Sequence, residues 1–402
     1  MNNVLNGEAK TPEAEIIKRI STLQEHLEDN AVDGALIIQK SDLFYFSGTV
    51  QDGHLYVPVQ GKPLLMVYKH VNRAESESGI EIVLPLNSPE AIPGILKDHG
   101  HTNPAVLGLE LDVLPANLYL NYRRIFQNSV LQDISPSVRL IRAVKSPYEI
   151  TLIRRSAQLA DQVSRSVTEF ICEGITEIEL AGKVEAYARK LGHQGIVRMR
   201  LWGSELFYGH LMAGPSAAVP SYLSSPTGGI GINPAVAQGA GSRPIRRNEP
   251  VLVDYVFAQN GYLADHARIF VLGKLPEHLE KGHRLMLKLQ DKIKKAAKPP
   301  IKAGDIYDMA VDFVHRFGYG DYFMGADPQR IRFIGHGLGL ELDEFPFLAK
   351  GQMLPLQPGM TLALEPKLVF PGEGVVGIEN THLVTENGLE QLTCYEEDII
   401  AL

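Results

Sequence analysis

Cysteine is almost missing from this chain: Cys172 and Cys394 are the only two in 402 residues, and they lie far apart in sequence. That excludes a disulfide framework and any cysteine-based zinc site, and it suits a reducing compartment. Long apolar runs are missing too, none approaching the roughly 20 residues that a membrane-spanning helix needs, so no membrane partner is expected. There is no basic excess. Lys and Arg total 39 against 47 Asp and Glu, a net charge of -8, which argues against a nucleic-acid partner held by a clustered positive surface. Residues Met1 to Ile20 lack the basic start and apolar stretch of a secretory signal, and the cytoplasm is the expected location.

What is present is an ordinary globular composition, 45% hydrophobic and 21% charged, in a chain longer than one domain usually requires. Ile16, Ile20, Leu23 and Leu27 repeat at helical spacing. Ala35–Ile38 follows as a strand, and His54–Val59 and Leu64–Tyr68 flank a Gln-Gly-Lys-Pro turn. Further strand-like runs, Ile80–Leu84 and Ala105–Leu111, alternate with helical stretches near Pro89–Lys97 and Pro115–Phe126, as in a small α/β domain. Ser146, Pro147 and Glu149 then read as a capped helix start, which places a domain boundary at 145/146. Thr176 and Glu179 begin a second capped helix. The Lys-rich segment Lys281–Lys298 carries Leu285, Leu289 and Ile293 at helical spacing and reads as a surface helix with a solvated basic face. Asp305–Phe317 reads as another helix, ended by Gly318.

Ala213–Arg247 is rich in Gly, Pro and Ser, and a loop of that length inside a domain is a candidate active-site wall. Its Gly228, Gly229 and Gly231 lack the following Lys-Ser/Thr of a phosphate loop. The serines near Ser221 form no Gly-x-Ser-x-Gly elbow, which speaks against a serine-hydrolase triad. Trp202, Phe207, Tyr208 and His210 precede the loop as core aromatics or pocket lining.

The chemistry is carried by acids in apolar surroundings. Val251–Ala258 and Tyr262–Leu272 flank Asn260-Gly261, a dipeptide that favours a two-residue hairpin turn. Counting back from that turn sets Val256 opposite Asp265 and Asp254 opposite Ala267, so Asp254 and Asp265 are diagonal neighbours on one face. An unpaired charge there would cost several kcal/mol, so something cationic must compensate: a metal ion, or Arg268 or another basic residue. His336 stands between Gly335 and Gly337, glycines that would let the backbone approach a ligand closely. Glu365 and Glu379 each interrupt a β-like apolar segment where nothing local explains a charge. Four acids and one imidazole form a hard ligand set suited to Mn, Co, Fe or Zn.

The stretches Val253–Phe270, Gly335–Pro346, Leu364-Glu365-Pro366 and Ile378-Glu379-Asn380 resemble the motifs of the pita-bread metallopeptidases, which include methionine aminopeptidase, prolidase and aminopeptidase P. The resemblance covers residues 147–402, and the first part is similar to the creatinase-type domain of prolidases and aminopeptidases P. It implies an α+β architecture: a creatinase-like α/β domain over residues 1–145 and a pita-bread catalytic domain over 146–402. It further implies two divalent ions, Mn first among them, held by Asp254, Asp265, His336, Glu365 and Glu379. Glu365 would also move the proton. The implied substrate is a dipeptide or peptide with proline after the first residue, the implied assembly a homodimer, and the alternative substrate a small non-peptide molecule. Two departures stand out. Ser216 and Ser221 replace the family's Asn and His, and Asp343-Glu344 replaces its His-Glu. Ser221 and Asp343 are thus expected at the substrate, Asp343 either facing the pocket or turned toward Arg330 or Arg332. His210 is the candidate for the missing hydrogen-bond donor.

Overall fold

The structure, a computed structural model, describes residues 10–326, 328 and 330–402; residues 1–9, the start of the polar N-terminal segment, fall outside it. Contacts divide the chain into two compact units, the second being Ala143–Leu402.

The first unit opens with helix α1 (Glu13–Asp29), whose Ile16, Ile20, Leu23 and Leu27 are all buried, as their spacing predicts. Its sheet is built from β1 (Gly34–Ile37), β2 (Gly53–Pro58), β3 (Leu64–Val67), β4 (Ile82–Pro85), β5 (Val106–Leu109) and β6 (Val130–Asp133) in the order β4-β3-β2-β1-β5-β6. The predicted hairpin is β2–β3, antiparallel, while β3–β4, β1–β5 and β5–β6 are parallel. Helices α2 (Lys40–Ser47), α3 (Val71–Glu77), α4 (Ile92–Asp98), α5 (Ala116–Ile125) and α6 (Ser135–Ala143) alternate with the strands. Leu36, Tyr56, Leu64, Met66, Leu107, Tyr122 and Phe126 meet in one core.

One polar group in that core makes the unit acid-sensitive. His54 on β2 is buried with Nε2 2.6 Å from the Tyr122 hydroxyl. Burial, opposed only by the Asp52 charge, lowers its pKa from 6.5 to about 4. The folded value lies below the unfolded one, so the stabilisation is complete above pH 6.5 and is lost as pH falls toward 4, by roughly 3 kcal/mol at most. His54→Gln, which keeps a polar partner for Tyr122, is therefore expected to flatten the fall in melting temperature between pH 7 and pH 4. Equal slopes for the two proteins in calorimetry would contradict this.

In the second unit, α7 (Pro147–Phe170) and α8 (Glu177–Lys190) begin with complete capping boxes at Ser146/Glu149 and Thr176/Glu179. They pack on a four-stranded sheet of β7 (Gly209–Ala213), β8 (Val251–Gln259), β9 (Tyr262–Val271) and β17 (Ile400–Ala401), in the order β17-β9-β8-β7. Leu159, Val163, Val167 and Leu180 of the helices bury against Leu211, Val253 and Tyr255. The basic helix α9 (Glu277–Ala296) buries Leu285, Met286, Leu289 and Ile293 and turns Lys281, Lys288, Lys292 and Lys295 outward, and α10 (Ala303–Arg316) lies against it. A second sheet runs β11-β10-β12-β15-β16, from β10 (Phe333–Gly337), β11 (Glu344–Ala349), β12 (Thr361–Leu364), β15 (Asn380–Thr385) and β16 (Gly388–Gln391). Beside it, β13 (Lys367–Phe370) and β14 (Gly374–Gly377) form a two-stranded arm.

The Gly-rich segment after β7 is tied down by one acid. The fully buried Glu177 accepts from Ala213 N (2.8 Å), Gly241 N (2.9 Å) and the Ser216 hydroxyl. Ser216 is thereby committed to backbone anchoring. No helix among the described residues is long and apolar enough to cross a membrane.

Candidate metal centre

The β8–β9 hairpin has the register that its turn dictates: Gln259 faces Tyr262, Val256 faces Asp265 and Asp254 faces Ala267. Asn260 and Gly261 take left-handed conformations, φ 52° and 87°, as a type I′ turn demands. On the other side of β8, β7 sets His210 directly opposite Asp254.

The remaining acids and the imidazole come from the second sheet. His336 on β10 pairs with Ala363 on β12, and Glu365 follows β12 directly. Glu379 lies between β14 and β15, where its backbone bridges Ala267 of the hairpin through Ala267 N to Glu379 O (3.2 Å) and Glu379 N to Ala267 O (3.4 Å). The two sheets are thus joined at the residue that both sides of the site share. Gly335 and Gly337 serve the sheet rather than a ligand. A Cβ at Gly335 would lie 2.3 Å from Ala363 O, and one at Gly337 2.2 Å from Phe345 O. The expectation that they admit a ligand is corrected: they admit the neighbouring strands.

Asp265, His336 and Glu379 are buried, and their ligand atoms lie within 4.8 Å of one another. His336 Nδ1 donates to Gly337 O (3.1 Å), which leaves the Nε2 lone pair facing Asp265 Oδ2 at 3.9 Å and Glu365 Oε1 at 4.0 Å. Those separations are too long for hydrogen bonds but suit donors that share an ion at about 2.0–2.2 Å from each. Asp265 Oδ1 is buried without any hydrogen-bond partner, a costly state unless a cation takes it. Burial first, then the Glu379 and Asp254 charges, push the Asp265 pKa well up. Burial likewise raises Glu379 to about 8 against the pull of Lys367. Burial lowers His336, but Asp343, Glu365 and Glu379 outweigh it and leave its pKa raised. An orphaned carboxylate oxygen, a fixed imidazole lone pair and a third carboxylate fit one divalent ion.

The sequence reading missed the cation that sits among these acids. Lys367, two residues after Glu365, is 1% exposed, and its ammonium lies 2.8 Å from Asp254 Oδ2, 2.9 Å from Glu365 Oε2 and 2.6 Å from Glu379 Oε2. The signal was a lysine opening the apolar strand Lys-Leu-Val-Phe. Arg268, the basic residue singled out from sequence, turns away from the carboxylates: it donates to Ala267 O, Glu379 O, Asn380 Oδ1 and Tyr395 O, each at 2.8–2.9 Å. Burial lowers its pKa to about 10.

A cleft opens onto this cluster, lined by His210, Gln238, Leu342 and Asp343 beside Asp254, Asp265, His336, Glu365 and Glu379. Asp343 faces the site, with Oδ1 3.9 Å from His336 Nδ1, while Arg330 donates to Gly320 O and lies 3.8 Å from Asp321. Glu344 is structural: it accepts from Leu340 N and Glu341 N and pairs with Lys145 at 2.9 Å. His210 Nε2 donates to Gln238 Oε1 (3.2 Å), whose amide nitrogen donates to Glu205 O (2.9 Å). Burial lowers the His210 pKa. Ser221 is outside the cleft wall, its hydroxyl taken by Leu223 N; Leu223, Ser224 and Ser225 line the cleft instead. Trp202, 98% exposed, and the exposed Phe207 are neither core nor lining; of the three aromatics only Tyr208 is buried.

The sequence model of Metallopeptidase family M24 matches residues 151–386. The chain belongs to that family. The model of the Creatinase/Prolidase N-terminal domain matches residues 19–144, so the M24 domain is preceded here by a creatinase-type domain, and the fold is pita-bread. Among curated relatives of this M24 protein, an Xaa-Pro dipeptidase from Pyrococcus furiosus is 28% identical over 95% of this chain and 99% of its own length. One from Pyrococcus horikoshii is 26% identical over 95% and 99%. Among solved structures, the prolidase from Pyrococcus horikoshii OT3 superposes with a TM-score of 0.80 at 26% identity, covering 95% of this chain and all of that one.

Proposed function

We propose that this M24 protein is a metal-dependent hydrolase that cleaves the bond between a first residue and a following proline, in dipeptides or at peptide N-termini. The observation that carries the reading is the convergence of Asp265, His336 and Glu379 at ligand distance, with Asp254 and Glu365 beside them, in a cleft. A divalent ion held there supplies Lewis-acid polarisation of the scissile carbonyl and an acidified water as nucleophile. Glu365, with one oxygen on Lys367 and the other facing His336, takes the water proton and returns it to the leaving nitrogen. Proline suits such a site because its nitrogen carries no N–H and its ring presents a rigid shape to the pocket. The homologous dipeptidases support this substrate class.

A second reading, hydrolysis or lyase chemistry on a small non-peptide substrate, is favoured by one feature of the cleft. The acceptor-only Asp343 stands where the resemblance leads one to expect an imidazole donor, and Ser221 is withdrawn from the wall. Xaa-Pro dipeptides and Xaa-Pro-Yaa peptides assayed side by side, with protein reloaded with Mn, Co, Fe or Zn after chelation, decide between them. No cleavage of either series with any metal would leave the second reading.

His210, the cleft imidazole not engaged at the ligand cluster, would steady a developing oxyanion by turning its Nε2–H from Gln238 Oε1 to the substrate oxygen. His210→Ala is expected to lower turnover about a hundredfold with metal content unchanged, beside a near-silent Ser221→Ala. Wild-type kinetics in the His210 variant would remove it from the mechanism. The homodimer that the resemblance implies is checked by sedimentation.

A further inference from the structure

We propose that the Lys367 ammonium permanently occupies one of the two cation positions of this centre, so that the protein binds one divalent ion where two were expected. This rests on the reading of the acidic cluster as a metal site and changes its stoichiometry.

The three N–H bonds of the ammonium are each matched to a different carboxylate, Asp254 Oδ2, Glu365 Oε2 and Glu379 Oε2, at 2.6–2.9 Å. An ion bound by the same three oxygens would need them all at about 2.0–2.2 Å, in the volume that Nζ fills. Lysine and ion therefore exclude each other there by space as well as by charge. The seat is built for the side chain. Lys367 pairs with Gly377 across the β13–β14 arm, and a Cβ on Gly377 would lie 2.7 Å from Lys367 Cα and 3.0 Å from its Cγ. Only glycine leaves room for that stem. The backbone is held from the other side by Met324, whose N donates to Lys367 O at 3.0 Å.

The other position keeps a full claim on a metal. Asp265 and His336 make no hydrogen bond to Lys367; their ligand atoms and one from Glu379 converge, and Asp265 Oδ1 has no partner. With all four ligand carboxylates ionised, one ammonium leaves three negative charges, which one divalent ion reduces to one. Glu379 is the residue common to both positions.

The test is a metal titration of the full-length protein with Co2+ alone, followed by visible absorption and by elemental analysis after equilibrium dialysis, without substrate. Wild type is expected to saturate at one ion per chain, and Lys367→Ala, which vacates the seat, at two. Two tightly held ions in the wild type, or a single ion in a folded Lys367→Ala protein, would overturn the proposal. Should the variant not fold, crystals of the wild type soaked in Mn2+ give the same decision. One anomalous peak beside Asp265, His336 and Glu379 with Nζ still on its three carboxylates supports it; two peaks with the lysine displaced refute it. The count needs no peptide, so failure of the Xaa-Pro panel leaves it standing, and a wrong count leaves the substrate reading untouched.

Discussion

Asp265→Asn is expected to abolish turnover, by on the order of a thousandfold or more, while making the metal-free protein harder to unfold. The two effects have one origin. Asp265 is buried with Oδ1 unpartnered and with Glu379, Asp254 and Glu365 as neighbouring charges, so its carboxylate is unfavourable until a cation arrives. The amide has the same shape, removes one negative charge, and is a weaker ligand. Elemental analysis should show lost metal, kinetics lost activity, and calorimetry a higher melting temperature for the chelated variant than for the chelated wild type. Full activity after exhaustive chelation, with no metal present, would defeat the metal-dependent reading itself.

Glu365→Gln is expected to lower kcat by about 10² to 10⁴ while KM changes only a few-fold. The amide cannot accept the proton of the attacking water, whereas substrate contacts elsewhere in the cleft remain. Glu365 also accepts from Lys367 at 2.9 Å, and Gln can still do so through its carbonyl oxygen. A merely structural role would thus be largely rescued by Gln but not by Ala. A Gln variant with near wild-type turnover would show that the proton is handled by another group.

Most of this was legible in the sequence because it follows from short-range geometry. An Asn-Gly turn fixed the register that brings Asp254 and Asp265 to one face, and two capping boxes fixed the starts of α7 and α8. Helical spacing placed α1 and α9. What escaped depends on long-range packing. The short helices α2 and α3 have little periodicity to read. Ser221 left the cleft because its hydroxyl closes a local turn with Leu223 N. The glycines around His336 answer to strands whose approach no local pattern announces. Lys367 was the costliest omission: it adjoins the quoted Leu364-Glu365-Pro366, but one lysine beside an apolar run reads as surface until Asp254, more than a hundred residues earlier, is brought to it.

The backbone bridge between Ala267 and Glu379 ties together strands that are remote in the chain, so the unfolded polypeptide offers the ion no comparable nest. Whatever free energy the ion gains on binding is then a contribution to holding the second unit shut: about 2.7 kcal/mol when the ion is at a hundred times its dissociation constant. Chelated protein should accordingly open more often, and be cut sooner by an added protease, than the metal-loaded form. The centre would then be a clasp on the second unit as well as its reactive part.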